Sequence, residues 1–230
     1  QGVRYAFLAA IFFALVALVV QQRYISDKSS PHNSKNVKGI KHSFNRNLKN
    51  LLVSDILIRF CEQIPYAFVV VWVMNNRNLS AFQFGVLTTV EMLTAMLVYI
   101  PVAYLADKSS RKPYVAITFF NFAIFPLVLY FSRSFPALII AFIIRGLKEF
   151  GEPSRKSLIL SLAPEGAKAS TFGRYYLIRD VVVSVAAFGG ALLWNYNPAI
   201  NLFSASAFGF AGMLYFIIRV QNIDTQHPMG

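Results

Sequence analysis

Asp55, Arg59 and Glu62 recur at i, i+4 and i+7 inside a stretch otherwise built of Leu, Ile, Val and Phe, the spacing that stacks side chains on one face of a helix. Tyr66 continues the stripe. An arginine between two carboxylates on such a face fits two chemistries. One is an ion-pair ladder that neutralises itself and ties helices together. The other is a polar lining that handles protons or a charged solute. Just beyond the stripe, Pro65 removes a backbone hydrogen bond and frees a carbonyl, and interrupted helices are where solute sites form in membranes.

Glu91 sits in a second apolar stretch among Met92, Leu93, Thr94 and Met96, with no basic residue one turn away. Its partner must come from another helix. A buried carboxyl with no cation beside it holds its proton more tightly, so Glu91 is the candidate for a group that takes up and releases a proton; a neutral, hydrogen-bonded structural Glu is the alternative.

A third group comprises Arg145, Lys148, Glu149, Glu152, Arg155 and Lys156. Residues 145, 149, 152 and 156 form one stripe of alternating sign, and pairing within the helix accounts for much of it. Arg145 is the deepest, about 14 Å from Pro136 at ~1.5 Å per residue. It is placed to meet a carboxylate on another helix or an anionic solute. Arg174, Arg179 and Asp180 open the next apolar stretch, and a ring of charge at the ends of several helices suits a gate.

The elements that must hold these residues are long and apolar. Hydrophobic residues make up 56% of the 230 positions and charged residues 14%. Mean hydropathy is +0.52, too apolar for an ordinary soluble domain. A helix needs about 20 mostly apolar residues to cross a bilayer, and the stretches 5–20, 51–74, 84–106, 114–131, 136–162, 175–194 and 199–220 come near that. The fold class expected is therefore all-α, a polytopic helical membrane protein with seven spans. The small-residue pairs Ala186 with Gly190 and Ala205 with Gly209 suit close helix approach in lipid, or occur there incidentally.

The net charge of +12 is distributed as short Lys and Arg clusters between apolar runs, which argues for membrane topology rather than nucleic-acid binding. Connections taken alternately differ sharply in Lys and Arg. Arg23, Lys28, Lys35, Lys38, Lys41, Arg46, Lys49, Lys108, Arg111, Lys112, Arg155, Lys156 and Lys168 fall on one side, Arg77 and Arg133 on the other. The rich side is expected to be cytoplasmic, which puts the linker and C-terminus inside, in the cell membrane.

Enzymatic chemistry finds no support. His32, His42 and His227 lie in the polar linker or the tail, and no H-E-x-x-H, G-x-S-x-G or phosphate-binding glycine pattern occurs. One cysteine, Cys61, builds neither a disulfide nor a cysteine-rich metal site. No catalytic residue, metal or cofactor is expected.

The segment PVAYLADKSSRKPY at 101–114 resembles the loop signature of the major facilitator superfamily, G-x-L-A-D-R-x-G-R-R/K. Leu105, Ala106, Asp107, Lys108, Arg111 and Lys112 match, while Ala103 and Ser110 replace the two glycines. RGLKEFGEPSRKSLI at 145–159 is similar to a charged helix-and-loop segment of many members. In the family the signature joins the second and third helices of a six-helix half, and here it joins the second and third spans after the polar linker. The resemblance therefore implies that residues 1–22 correspond to transmembrane helix six, 23–50 to the cytoplasmic central linker, 51–221 to the C-terminal six-helix bundle and 222–230 to a cytoplasmic tail. Helices one to five, the N-terminal half of the same polypeptide, would precede this fragment.

It further implies a secondary transporter, symporter or antiporter, that moves a small solute by alternating access. Asp107, Lys108, Arg111 and Lys112 would form a cytoplasmic gate. Coupling to a proton gradient is expected, with Glu91, Asp55, Arg59, Glu62, Arg145 and Glu149 as candidates for the pathway. The partners expected are the solute, protons and the lipid bilayer, and no nucleic acid. The alternative is a noncatalytic membrane sensor or partner protein that keeps the architecture and moves nothing.

Overall fold

The computed structural model of the chain describes residues 2–24, 44–107 and 110–221, which divide into two compact units, Gln1–His42 and Ser43–Gly230. The first contains α1, Gly2–Tyr24, whose described side chains from Ala10 to Arg23 form an apolar helix. The second contains α2 (Arg46–Gln63), α3 (Phe68–Val71) with a π-helical turn (Trp72–Asn76), α4 (Ala81–Asp107), α5 (Arg111–Phe131), α6 (Phe135–Gly146), a 3₁₀ turn (Leu147–Glu149), α7 (Glu152–Leu162), α8 (Lys168–Tyr196) and α9 (Pro198–Arg219). No strand occurs among the described residues, and the chain is an all-α polytopic membrane protein.

Five of these helical stretches are long and apolar enough to cross a bilayer: Arg46–Asn76, Ala81–Val102, Arg111–Phe131, Lys168–Tyr196 and Pro198–Arg219. The first starts ahead of residue 51 because the Asn45 side chain caps it, accepting from the Leu48 amide at 2.7 Å. The membrane faces are visible as continuous apolar stripes. Met92, Met96, Ile100 and Tyr104 on α4, and Val181, Val185, Phe188 and Leu192 on α8, recur at helical spacing and are all exposed, a pattern that only lipid makes favourable.

The stretch 136–162, expected as one span, is not a single helix. It is α6, a 3₁₀ turn and α7, broken at Gly146 and Gly151. A Cβ on Gly146 would lie 2.6 Å from the Glu91 carbonyl and 2.7 Å from Thr94 Cβ, and one on Gly151 would overlap the Tyr114 carbonyl. Close approach of α4 and α5 thus requires glycine at both ends of the break. The Gly151 amide donates to Thr118 Oγ1 at 2.5 Å, and Pro153 in the first turn of α7 needs no hydrogen-bond partner there.

Pro65 interrupts the other helix as its chemistry predicts. The Phe68 and Val69 amides both turn to the Pro65 carbonyl, at 2.8 and 3.0 Å. The Ile64 carbonyl is taken instead by Asn201 of α9, whose Nδ2 donates to it at 3.2 Å and to the Gly190 carbonyl at 2.8 Å. Gly190 packs so tightly on Ile64 that a side chain there would overlap its carbonyl. At Gly209 a Cβ would lie 2.7 Å from Ala123 Cα and 2.9 Å from Cys61 Sγ. Ala186 and Ala205 are buried beside these glycines in one small core with Cys61 and Ile64, so both small-residue pairs do serve close packing.

Two larger apolar cores bracket that centre. Leu51, Ile58, Phe119, Tyr175 and Phe216 fill one, and Val69, Trp72, Leu129, Leu138 and Phe142 fill the other. α9 packs mainly on α2 and α5. At the basic end of the bundle Lys112 Nζ donates to the Ile217 carbonyl at 3.0 Å. At the opposite end Arg77 lies over the Trp72 ring and donates to the Tyr130 carbonyl at 2.5 Å.

Candidate functional site

Between the apolar cores runs a continuous chain of ion pairs. Glu91 on α4, 3% exposed, meets Arg145 Nε at 3.3 Å and Lys148 Nζ at 3.6 Å through the same oxygen. Lys148 also reaches Glu62 of α2 at 3.0 Å. The other oxygen of Glu62 accepts from Arg59 Nη1 at 2.7 Å, and Arg59 Nη2 continues to Glu152 at 3.4 Å. Glu152 binds Arg155 through two nitrogens, at 2.5 and 2.9 Å, and Arg155 donates to Asp55.

Asp55 closes the network onto α8. Its Oδ2 also accepts from the Tyr175 hydroxyl at 3.1 Å and from Arg179 at 3.5 Å. Arg179 pairs with the exposed Asp180 at 2.8 Å and stacks over the Tyr176 ring at 4.1 Å. Aromatic faces line the other cations as well: Phe122 under Arg59, Phe125 and Phe142 around Arg145, contacts that are stronger when water is excluded.

The break in the fifth span is what makes this wiring possible. Of the expected stripe, Glu152 and Lys156 keep their i, i+4 pairing at 3.8 Å, but Arg145 and Glu149 do not pair, because the 3₁₀ turn and the restart at Glu152 separate α6 from α7. Arg145 and Lys148 therefore turn to carboxylates on α4 and α2, while Glu152 serves Arg155, Lys156 and Arg59. Among the described residues Glu149 has no cation within ion-pair distance.

Glu91 does find its partner on another helix, as its surroundings required. It is doubly paired, so the premise of a carboxyl with no cation beside it does not hold. Asp107 is the last residue of α4; its side chain and the whole of Lys108 lie outside the described residues. Arg111 and Lys112 open α5. A small cavity beside the ion pairs is lined by Glu62, Pro65, Tyr66, Asn121, Phe125, Arg145 and Lys148. It joins the proline break, the aromatic wall and both cations of the Glu91 cluster.

Arg155, counted both with the basic loop residues and in the charged group at 145–156, is 1% exposed and the hub of the network. Its signal was local. Once α7 restarts at Glu152, residues 152 and 155 share a face, and an i, i+3 carboxylate–guanidinium pair beside an apolar run is a buried pair in waiting.

The sequence profile of the Major Facilitator Superfamily matches residues 51–229. The chain belongs to that superfamily. A comparison with curated proteins gives no match. Membership, together with the apolar spans, makes the chain an integral multi-pass membrane protein of a family of small-solute transporters, and enzymes are not the rule in it. For this superfamily member the ion-pair chain is the polar interior of a lipid-embedded bundle. It draws on α2, α4, α6, α7 and α8, so any movement of α6–α7 against α2 and α4 must break or exchange pairs.

Proposed function

We propose that the protein is a proton-coupled secondary transporter that moves a small solute by alternating access. In this reading residues 51–221 act as the C-terminal six-helix half, working against an N-terminal half of the same polypeptide. Residues 1–22 are the preceding helix, 23–50 a cytoplasmic linker and 222–230 a cytoplasmic tail of a protein in the cell membrane.

The observation that carries the reading is Lys148. It sits on the 3₁₀ break and is shared by Glu62 at 3.0 Å and Glu91 at 3.6 Å. A proton on Glu91 would remove one of the two anions that hold Lys148 and the only carboxylate that holds Arg145 among the described residues. Buried cations left without a partner are strongly unfavourable, so the broken helix would re-pair by moving. Solute entering the cavity beside Tyr66 and Phe125 meets the same two cations, which supports coupling between solute and proton. Asp55, Arg59 and Glu62 transmit the exchange to the basic end, where Asp107, Lys108, Arg111 and Lys112 act as the cytoplasmic gate.

The test is flux in proteoliposomes containing the complete polypeptide. An imposed pH gradient should drive solute accumulation that is lost in Glu91→Gln. Normal transport by Glu91→Gln, with loss in Asp55→Asn or Glu62→Gln, moves the proton to α2. No flux for any class of solute rejects transport and leaves a sensor with the transporter architecture.

A further inference from the structure

At the basic end of the bundle, the start of α2 and the end of α9 are stitched by polar side chains. Asn50 Nδ2 donates to the Arg219 carbonyl at 2.9 Å and its Oδ1 accepts from the Tyr215 hydroxyl at 3.2 Å. Asn47 Oδ1 accepts from the Gln221 amide at 2.9 Å. These bonds satisfy the seam and leave the guanidinium groups of Arg46 and Arg219 unused; neither has an ion-pair or hydrogen-bond partner among the described residues. A cavity of about 230 Å³ opens between them, lined by Arg46, Asn47, Asn50, Ile218, Arg219 and Gln221. Among the described residues its walls hold two cations and no carboxylate.

The surface next to that cavity is apolar. Val53 lies one turn beyond Asn50 on α2, and Leu214 lies one turn before Ile218 on α9. All three of Val53, Leu214 and Ile218 are exposed, Ile218 at 74%. The cavity therefore marks a junction where a span ends, with paired cations on the polar side and aliphatic side chains on the lipid side. Two guanidiniums match a phosphate diester with charge-assisted, bidentate hydrogen bonds. The asparagine amides complete a polar wall, and basic pockets between spans are where anionic headgroups lodge.

We infer that the Arg46–Arg219 cavity is a binding site for the phosphate of an anionic phospholipid, with an acyl chain lying along Val53, Leu214 and Ile218. The site clamps the start of α2 to the end of α9, and it is separate from the ion-pair chain. The exposed aliphatic strip favours a lipid over a soluble phosphate, which would gain nothing from it.

Native mass spectrometry of the full chain in detergent tests this, titrated with dioleoylphosphatidylglycerol and with dioleoylphosphatidylcholine. Anionic phosphatidylglycerol should bind in preference to zwitterionic phosphatidylcholine, with affinity lowered about tenfold in R46Q/R219Q and unchanged in K168Q, whose lysine lies outside the cavity. Equal phosphatidylglycerol binding by wild type and R46Q/R219Q overturns the inference, because it means diffuse attraction to a basic surface. So does protection against thermal unfolding by millimolar inorganic phosphate that depends on Arg46 and Arg219 while the lipid gives none. Should R46Q/R219Q fail to fold, R46K/R219K decides: the charge remains but the fork is lost, so severalfold weaker lipid binding supports the site and wild-type affinity rejects it.

Discussion

Arg155 and Asp55, one hundred residues apart in sequence, donate and accept a hydrogen bond with both side chains 1% exposed. Such a pair stabilises little in net terms, because both ions were taken out of water, but removing Arg155 leaves buried Asp55 with only its weaker partners and Glu152 without its two-nitrogen partner. Arg155→Met should lower unfolding free energy by about 3–5 kcal/mol, read as a loss of thermal stability in detergent. Asp55→Leu combined with Arg155→Met should recover much of that loss. A double variant as unstable as the sum of the singles would show that Asp55 depends on Arg179 and Tyr175 instead.

Much of the bundle was legible from span length and hydropathy, since lipid imposes one simple rule on composition. The proline break at Pro65 and the Ala186–Gly190 and Ala205–Gly209 contacts were legible too, because each rests on one residue's local chemistry. The helix-and-loop likeness of 145–159 agrees with the break at 146–151, but the packing that forces it is not legible. Gly146 and Gly151 look like ordinary helix interruptions until the Glu91 and Tyr114 carbonyls press against them, and those contacts are tertiary. Depth in the span points Arg145 to a carboxylate on another helix, and Glu91 is that carboxylate; which acid it would be is not legible, because spacing puts Arg145 and Glu149 on one face and only the rotation at the break separates them. Asp55, Arg59 and Glu62 read as a stripe from spacing, and Arg59 does lie within ion-pair distance of both acids, while the further partners of Asp55, namely Arg155, Tyr175 and Arg179, come from distant helices.

Gly190 separates packing from flexibility. Gly190→Ala should destabilise the bundle by roughly 1–3 kcal/mol, because the new methyl overlaps the Ile64 carbonyl. Gly189→Ala, with nothing near its Cβ, should be neutral or slightly stabilising. Equal effects of the two substitutions on thermal unfolding would mean that α8 can shift away from α2 without penalty.

Asn201 repairs two backbone carbonyls with one amide group. Asn201→Leu leaves the Ile64 carbonyl, already released by the proline break, without a donor in an apolar core. A buried acceptor left unmade costs about 1–3 kcal/mol. Amide exchange should rise around residues 64–69 before it rises elsewhere in α2; uniform protection would place the weak point in another helix.

Asp107 offers a case where stability and turnover should move in opposite directions. It terminates α4, and an acid at a helix C-terminus opposes the helix dipole, whereas a cation there is favourable by roughly 0.3–1 kcal/mol. Asp107→Lys should therefore leave the bundle as stable as before or slightly more so. If Asp107 holds the basic end closed by engaging cations and the positive start of a neighbouring helix, the same substitution should slow transport while altering solute preference little. Thermal unfolding and proteoliposome flux on one preparation separate the two effects. A transport rate equal to wild type would remove Asp107 from the gate, whatever happens to stability.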